Sequence, residues 1–155
     1  MTKLDMSENV FEGAAAGKAI GGMLTGNSTL KDLDLSGCRI DSGAAKGTSK
    51  GLARNGALSV LSLKNNALGT KEAGKVLGEM LKENSVLKEL DLSDNRYHYG
   101  GGIYRTDPEF AEELAAGIKD NRALSKLDVR NNNISATVKP LLQGACDAKA
   151  ISLAA

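Results

Sequence analysis

The sequence predicts an α/β solenoid: a right-handed stack of repeats with a curved parallel β-sheet on the concave face and α-helices on the convex face. Two features in phase with one another predict it. Leu30-Lys31-Asp32-Leu33-Asp34-Leu35, Leu58-Ser59-Val60-Leu61-Ser62-Leu63, Leu87-Lys88-Glu89-Leu90-Asp91-Leu92 and Leu124-Ser125-Lys126-Leu127-Asp128-Val129 share one alternating pattern. Each continues three positions on to a small or amide residue (Cys38, Asn66, Asn95, Asn132), and two later to an apolar one (Ile40, Leu68, Tyr97, Ile134). Independently, Asn27, Asn55, Asn84 and Asn121 each lie three residues before the first Leu of the next copy. Asn there is expected to end a helix in the left-handed conformation it tolerates. Composition agrees: with 3% aromatics and no Trp, the core has to come from many small layers of Leu and Ala.

Taken in order, Met1, Leu4, Met6, Asn9 and Phe11 fill the slots of a partial first copy. Helices are expected over 13–24 and 43–53, although their many glycines each cost about 1 kcal/mol against Ala. Lys71 to Glu83 reads as a better helix, with Ala73, Val76, Leu77, Met80 and Leu81 on one face. Asp107-Pro108 starts the next, Asp as N-cap and Pro at the first position. Phe110, Leu114 and Ile118 then recur every four residues. A short last helix is expected around 137–144, and Ile151 and Leu153 fill two slots of a final strand. The organisation is one domain, 1–155: a partial repeat 1–29, repeats 30–57, 58–86, 87–123 and 124–147, and a partial terminal strand 148–155. The third full repeat is too long, with an insertion at 97–106.

Several function classes lose ground on composition. The net charge is +1 with both signs interspersed, so no basic stripe points to nucleic acid. No apolar run approaches about 18 residues, so no membrane insertion is expected, and residues 1–11 lack the apolar segment of a signal peptide. Cys38 and Cys146 lie in different layers and read as reduced thiols, which suggests a cytoplasmic protein. No catalytic constellation is evident: there is a single histidine, no C-x-x-C, and Gly100-Gly101-Gly102 lacks the Lys and Ser/Thr of a phosphate loop. We therefore expect no enzyme and no cofactor. Hard cations want six or more oxygens, so the paired Asp residues of the sheet are not expected to hold a metal.

Two surfaces are candidates for binding a protein. On the concave sheet, residues between the slot leucines form columns: Asp5, Asp34, Ser62, Asp91, Asp128 and Ser152, flanked by Lys31, Lys88, Lys126 and Arg130. This reads as an acidic ridge edged by lysines and offered to a basic partner, or, more plainly, as Asp residues that face water and are neutralised by neighbouring lysines. The second candidate is the insertion, with His98, Tyr99, Tyr104 and Arg105. It holds all three tyrosines, the only histidine and three consecutive glycines, which would let it adapt. Tyr and Arg dominate binding hot spots, and insertions in repeat proteins map to loops on a binding face; Tyr97 itself is expected in a core slot. Six strands give a concave footprint of only about 500 Å², against about 800 Å² per partner in a standard interface. The insertion or the solenoid ends would have to contribute. The pattern starts and stops without polar caps, which suggests a fragment, a subunit of a larger assembly, or end-to-end self-association.

The repeated L-x-x-L-x-L with its following amide, at spacings of 28 and 29 residues, resembles the ribonuclease-inhibitor-like leucine-rich-repeat superfamily over nearly the whole chain. The resemblance implies a strand and a full helix in each repeat, and a protein-binding scaffold or adaptor. The superfamily includes NOD-like-receptor sensor domains, a GTPase-activating protein and tropomodulin-type actin cappers. The run Val76 to Leu87 is similar to the helix-to-strand joint of tropomodulins, whose repeat domain is also about this size. That resemblance implies an actin-associated alternative, for which a helical actin- and tropomyosin-binding region would be expected upstream of the repeats. A sensor fragment or GTPase regulator is a further alternative, and the GTPase-activating family has about twice as many repeats.

Overall fold

Each L-x-x-L-x-L segment forms a three-residue strand because alternate side chains of extended chain point to opposite faces, and only one face is apolar. A computed structural model describes residues 1–155. Its elements are β1 (Lys3–Asp5), α1 (Gly13–Gly26), β2 (Asp32–Asp34), α2 (Ser42–Arg54), β3 (Val60–Ser62), α3 (Lys71–Glu83), β4 (Glu89–Asp91), β5 (Tyr97–Gly100), β6 (Ile103–Arg105), α4 (Pro108–Ile118), β7 (Lys126–Asp128), α5 (Lys139–Asp147) and β8 (Ser152–Ala154). The main sheet is parallel, in the order β1-β2-β3-β4-β7-β8, with one helix in every crossover. Leu4, Leu33, Leu61, Leu90, Leu127 and Leu153 stand in register across it. The three L-x-x-L-x-L residues of each full copy, from Leu30, Leu33 and Leu35 to Leu124, Leu127 and Val129, are all buried in one continuous core with Leu24, Leu77, Phe110 and Leu142. No helix is long and apolar enough to cross a membrane.

The in-phase asparagines work differently from expectation. Asn27, Asn55 and Asn84 are extended, with φ of −100°, −74° and −75°. They act through their side chains. Asn55 Oδ1 accepts from the N–H groups of Ala57 and Leu58, and its Nδ2 donates back to the carbonyls of Leu24 and Asn27 one repeat earlier. Asn84 repeats this onto Leu52 and Asn55, and Asn121 onto Leu81 and Asn84. The carbonyls left free at each helix end are thus taken up by the amide of the following repeat.

A second amide row follows the strands. Asn66 Oδ1 accepts from Cys38 and Ile40, and its Nδ2 donates to Leu35, Leu63 and Lys64. Asn95 and Asn132 continue the row. Cys38 takes the same slot and its thiol donates to the Met6 carbonyl at 3.1 Å. The left-handed residues sit one place before this row, at Glu8, Gly37, Asn65, Asp94 and Asn131, with φ between 53° and 65°.

The helical glycines are contact points rather than defects. A Cβ on Gly17 would lie 2.2 Å from the Ala44 carbonyl oxygen, and one on Gly47 2.3 Å from the Gly17 carbonyl carbon. Gly21 and Gly51 face each other in the same way, and Gly78 faces Gly117 between α3 and α4. Only bare backbone lets these helices come so close.

Other expectations shift. The last helix runs Lys139–Asp147, later than expected. In the final strand Ser152 pairs with Lys126 and Ala154 with Asp128, so Ser152 leaves the aspartate column. Met1 is 82% exposed and fills no slot. Asp107 is the N-cap of α4 by position, but its carboxylate makes no cap bond to that helix. It accepts instead from the backbone N–H of Lys71, at the start of α3, at 3.0 Å. Asp41 serves two helices, accepting from Ala44 of its own and from Gly13 of α1.

Candidate protein-binding surface

The aspartate column of the concave sheet has a structural task first. Asp5, Asp34 and Asp91 each accept the backbone N–H two residues on, from Ser7, Ser36 and Ser93. This local turn ends the strand. Asp128 accepts the Arg130 N–H in the same way and also receives the Arg130 guanidinium through Nε and Nη2. Burial pushes the Asp128 carboxyl up, but the hydrogen bonds and charge of Arg130 outweigh it and hold the group below its ordinary value. Asp128 is only 9% exposed.

The flanking basic residues divide. Lys126 pairs with Glu89 at 3.3 Å, and Lys3 with Asp32 at 2.9 Å. Lys31 and Lys88 are exposed and enter no ion pair, while their carbonyls hold the hydroxyls of Ser59 and Ser125. The sheet therefore presents half-exposed Asp34 and Asp91 beside two unpaired lysines. None of these four charges is committed to an ion pair within the chain, which leaves them available for intermolecular contacts.

The insertion is an ordered antiparallel hairpin rather than a slack loop. Tyr97 pairs with Arg105, His98 with Tyr104 and Gly100 with Ile103, with an irregularity at Tyr99. Gly100, Gly101 and Gly102 all have positive φ, at 103°, 58° and 77°, and close the turn. Tyr97 is half-buried rather than a core residue. Its hydroxyl donates to Asp107 Oδ1 at 2.8 Å and accepts from Arg105 Nε at 3.2 Å. The Arg105 guanidinium carbon lies 3.4 Å from the centre of the Tyr99 ring. His98 and Tyr104 meet edge to face at 5.2 Å. These contacts fix a small surface on which Tyr99, Ile103 and Tyr104 are each more than half exposed.

Asp107 thus ties the hairpin to the solenoid, joining the Tyr97 hydroxyl to the first turn of α3. The hairpin rises from the crossover after β4, the fourth of the six strands of the sheet. The structure holds His98, Tyr99, Tyr104 and Arg105 together, and it holds Asp34, Asp91, Asp128, Lys31, Lys88, Lys126 and Arg130 on the sheet.

Nothing in the described chemistry suggests a reactive thiol. Cys38 and Cys146 are both buried and free. Burial raises both thiols, Cys146 to about 11 with some help from Asp147. No group of three or more His, Cys, Asp or Glu side chains could hold a metal ion. Sequence reasoning passed over one charged feature: α1 and α2 carry Lys18, Lys46, Lys50 and Arg54 and no acid at all. Counting charge helix by helix would have shown it.

Comparison with known proteins agrees with the repeat geometry. A leucine rich repeat family model matches residues 26–47 and 83–101. Leucine-rich repeat-containing protein 45 of Gallus gallus is 37% identical over 133 residues, which is 86% of this chain and 18% of that protein. Capping protein, Arp2/3 and myosin-I linker protein 2 of Mus musculus is 32% identical over 101 residues, 63% of this chain and 8% of that protein. The chain thus spans less than a fifth of the length of these curated relatives. Among solved structures, Leiomodin-1 Actin-Binding Site 2 superposes with a TM-score of 0.71 at 23% identity, covering 96% of this chain and 82% of that one. The tropomodulin C-terminal domain of Caenorhabditis elegans gives 0.71 at 12% identity, covering 96% and 84%. At these identities the superpositions speak to fold alone. Strand register, asparagine rows and sequence relatives converge: the chain is a leucine-rich-repeat protein.

Proposed function

We propose that this chain is a non-enzymatic docking module, a scaffold or adaptor that binds a protein through the concave sheet together with the β5–β6 hairpin. The observation that carries the reading is the hairpin: Tyr99, Ile103 and Tyr104 stay exposed while Arg105, Tyr97 and Asp107 hold them in place. Preorganised aromatic and Arg side chains lose little entropy on binding, which favours them as anchors. The sheet alone offers about 500 Å², so the hairpin supplies area that a standard interface needs. Asp34, Asp91, Lys31, Lys88 and Lys126 would set orientation and association rate more than affinity. The chain works in the cytoplasm on this reading, in keeping with its free cysteines.

Native purification with crosslinking and mass spectrometry tests it. Crosslinks from Lys31, Lys88 or Lys126 to one partner, lost in a Tyr99→Ala, Tyr104→Ala, Arg105→Ala variant, are expected. Retention of that partner by the triple variant would remove the hairpin from the interface.

An actin-associated role is the second reading. It is favoured by the mouse relative, whose name joins capping protein, Arp2/3 and myosin I. It gains support from the leiomodin structure, which is named as an actin-binding site. Slowed pointed-end elongation of actin filaments by this chain alone would support it, and unchanged elongation at saturating protein would remove it. The repeat spacing favours the ribonuclease-inhibitor-like subtype, with 1–155 as one domain.

A further inference from the structure

We propose that the groove between α1 and α2, on the convex face opposite the sheet, docks an acidic helical segment of a partner protein. The groove is a shallow depression of about 620 Å³ walled by Lys18 of α1 and by Lys46, Lys50 and Arg54 of α2. Its lining contains no acid and no large apolar side chain. All four cations are exposed, and none enters an ion pair.

The segregation of charge is specific to this end of the convex face. Helix α3 interleaves Lys71, Lys75 and Lys82 with Glu72, Glu79 and Glu83, and α4 carries Glu109, Glu112 and Glu113 without a base. A chain of net charge +1 thus carries four positive charges and no acid within two adjacent helices. The neighbouring groove between α2 and α3 also contains Glu79 and Glu83 and so lacks this bias.

The spacing fits a helix. Lys46, Lys50 and Arg54 lie one turn apart in a row about 12 Å long, which matches carboxylates at every fourth position of a second helix. The floor fits one too. Gly21, Gly47 and Gly51 bring the two backbones together, and a Cβ at Gly22 would meet nothing within 4 Å. A rod about 10–12 Å across can therefore approach the main chain while its carboxylates reach the cations on either side. Without apolar side chains to insert, the groove lacks what anchors a basic helix pair in a membrane surface.

Fluorescence anisotropy with a stapled Ala-based peptide of about 16 residues, Glu at every fourth position, tests the proposal. Binding is expected at about 50 mM salt and should weaken about tenfold by 300 mM. The same peptide with Gln in place of Glu should not bind. Lys46→Glu with Lys50→Glu should weaken binding at least about tenfold; both side chains are exposed, and an unchanged circular dichroism spectrum would confirm the fold. The Tyr99→Ala, Tyr104→Ala, Arg105→Ala variant should bind the peptide normally, so this groove and the hairpin interface succeed or fail separately. No binding, equal binding by the charge-reversed variant, or stronger binding to vesicles containing phosphatidylserine than to the peptide would overturn the proposal.

Discussion

A buried amide is the unit that repeats most faithfully in this chain. Asn66 makes five hydrogen bonds to backbone groups of two neighbouring repeats. An unpaired buried donor or acceptor costs about 1–3 kcal/mol, so Asn66→Ala should lose about 3 kcal/mol in urea unfolding. A loss below about 1 kcal/mol would mean that water replaces the amide. Asp128 makes a different prediction. Its carboxyl is held low in the folded chain by Arg130, against the effect of burial. The stabilisation is therefore present above the ordinary carboxyl value of 3.8 and disappears as pH falls through the lower folded value. Asp128→Asn should flatten the loss of stability between about pH 5 and pH 2, and an unchanged slope would assign that loss to other carboxylates. Both amide rows were visible as spaced asparagines, but their chemistry was not. Sequence reasoning reached for the conformation Asn tolerates, whereas the partners that decide its role lie a full repeat away.

Among elements, the strands were legible and the helix surfaces were misjudged. Alternating leucines define a strand within six residues, so β2, β3, β4 and β7 needed no knowledge of their neighbours. A glycine in a helix looks like a cost until the facing helix is known. Gly17 and Gly21 recur as Gly47 and Gly51 in the next helix, and that recurrence was the available signal. The distinction is testable. Gly22→Ala adds a Cβ in open space and should stabilise by about 0.5–1 kcal/mol through helix propensity. Gly47→Ala places its Cβ 2.3 Å from the Gly17 backbone and should destabilise by at least about 2 kcal/mol. Thermal unfolding of both variants checks the pair, and stabilisation by both would show that α1 and α2 can separate at little cost. The hairpin was misread for a related reason. Three glycines suggested slack, but all three are used by the turn, and the alternating Tyr-His-Tyr before it was the sign of a strand.

Across the whole molecule, every contact between elements joins neighbours in the stack, apart from the hairpin's own pairing. Such a solenoid is only as cooperative as its weakest seam. The glycine contacts tighten α1 against α2 and α3 against α4, but none bridges α2 and α3. A groove of about 500 Å³ opens between that pair. On α2 the hydroxyls of Thr48 and Ser49 are buried without a hydrogen-bond partner. What spans the seam at the helix ends is Asn84, whose amide reaches back to Leu52 and Asn55. Asn84→Ala should therefore do more than lower stability. By loosening the seam it should let the α1–α2 end open before the rest, so that the urea transition broadens and its m-value falls. Gly47→Ala, which strains a contact inside the N-terminal pair, should shift the midpoint with m unchanged. Hydrogen exchange should then show α1 and α2 losing protection at lower urea than α3 and α4 in Asn84→Ala. An unaltered m-value with uniform exchange would mean that the sheet alone carries cooperativity across the seam.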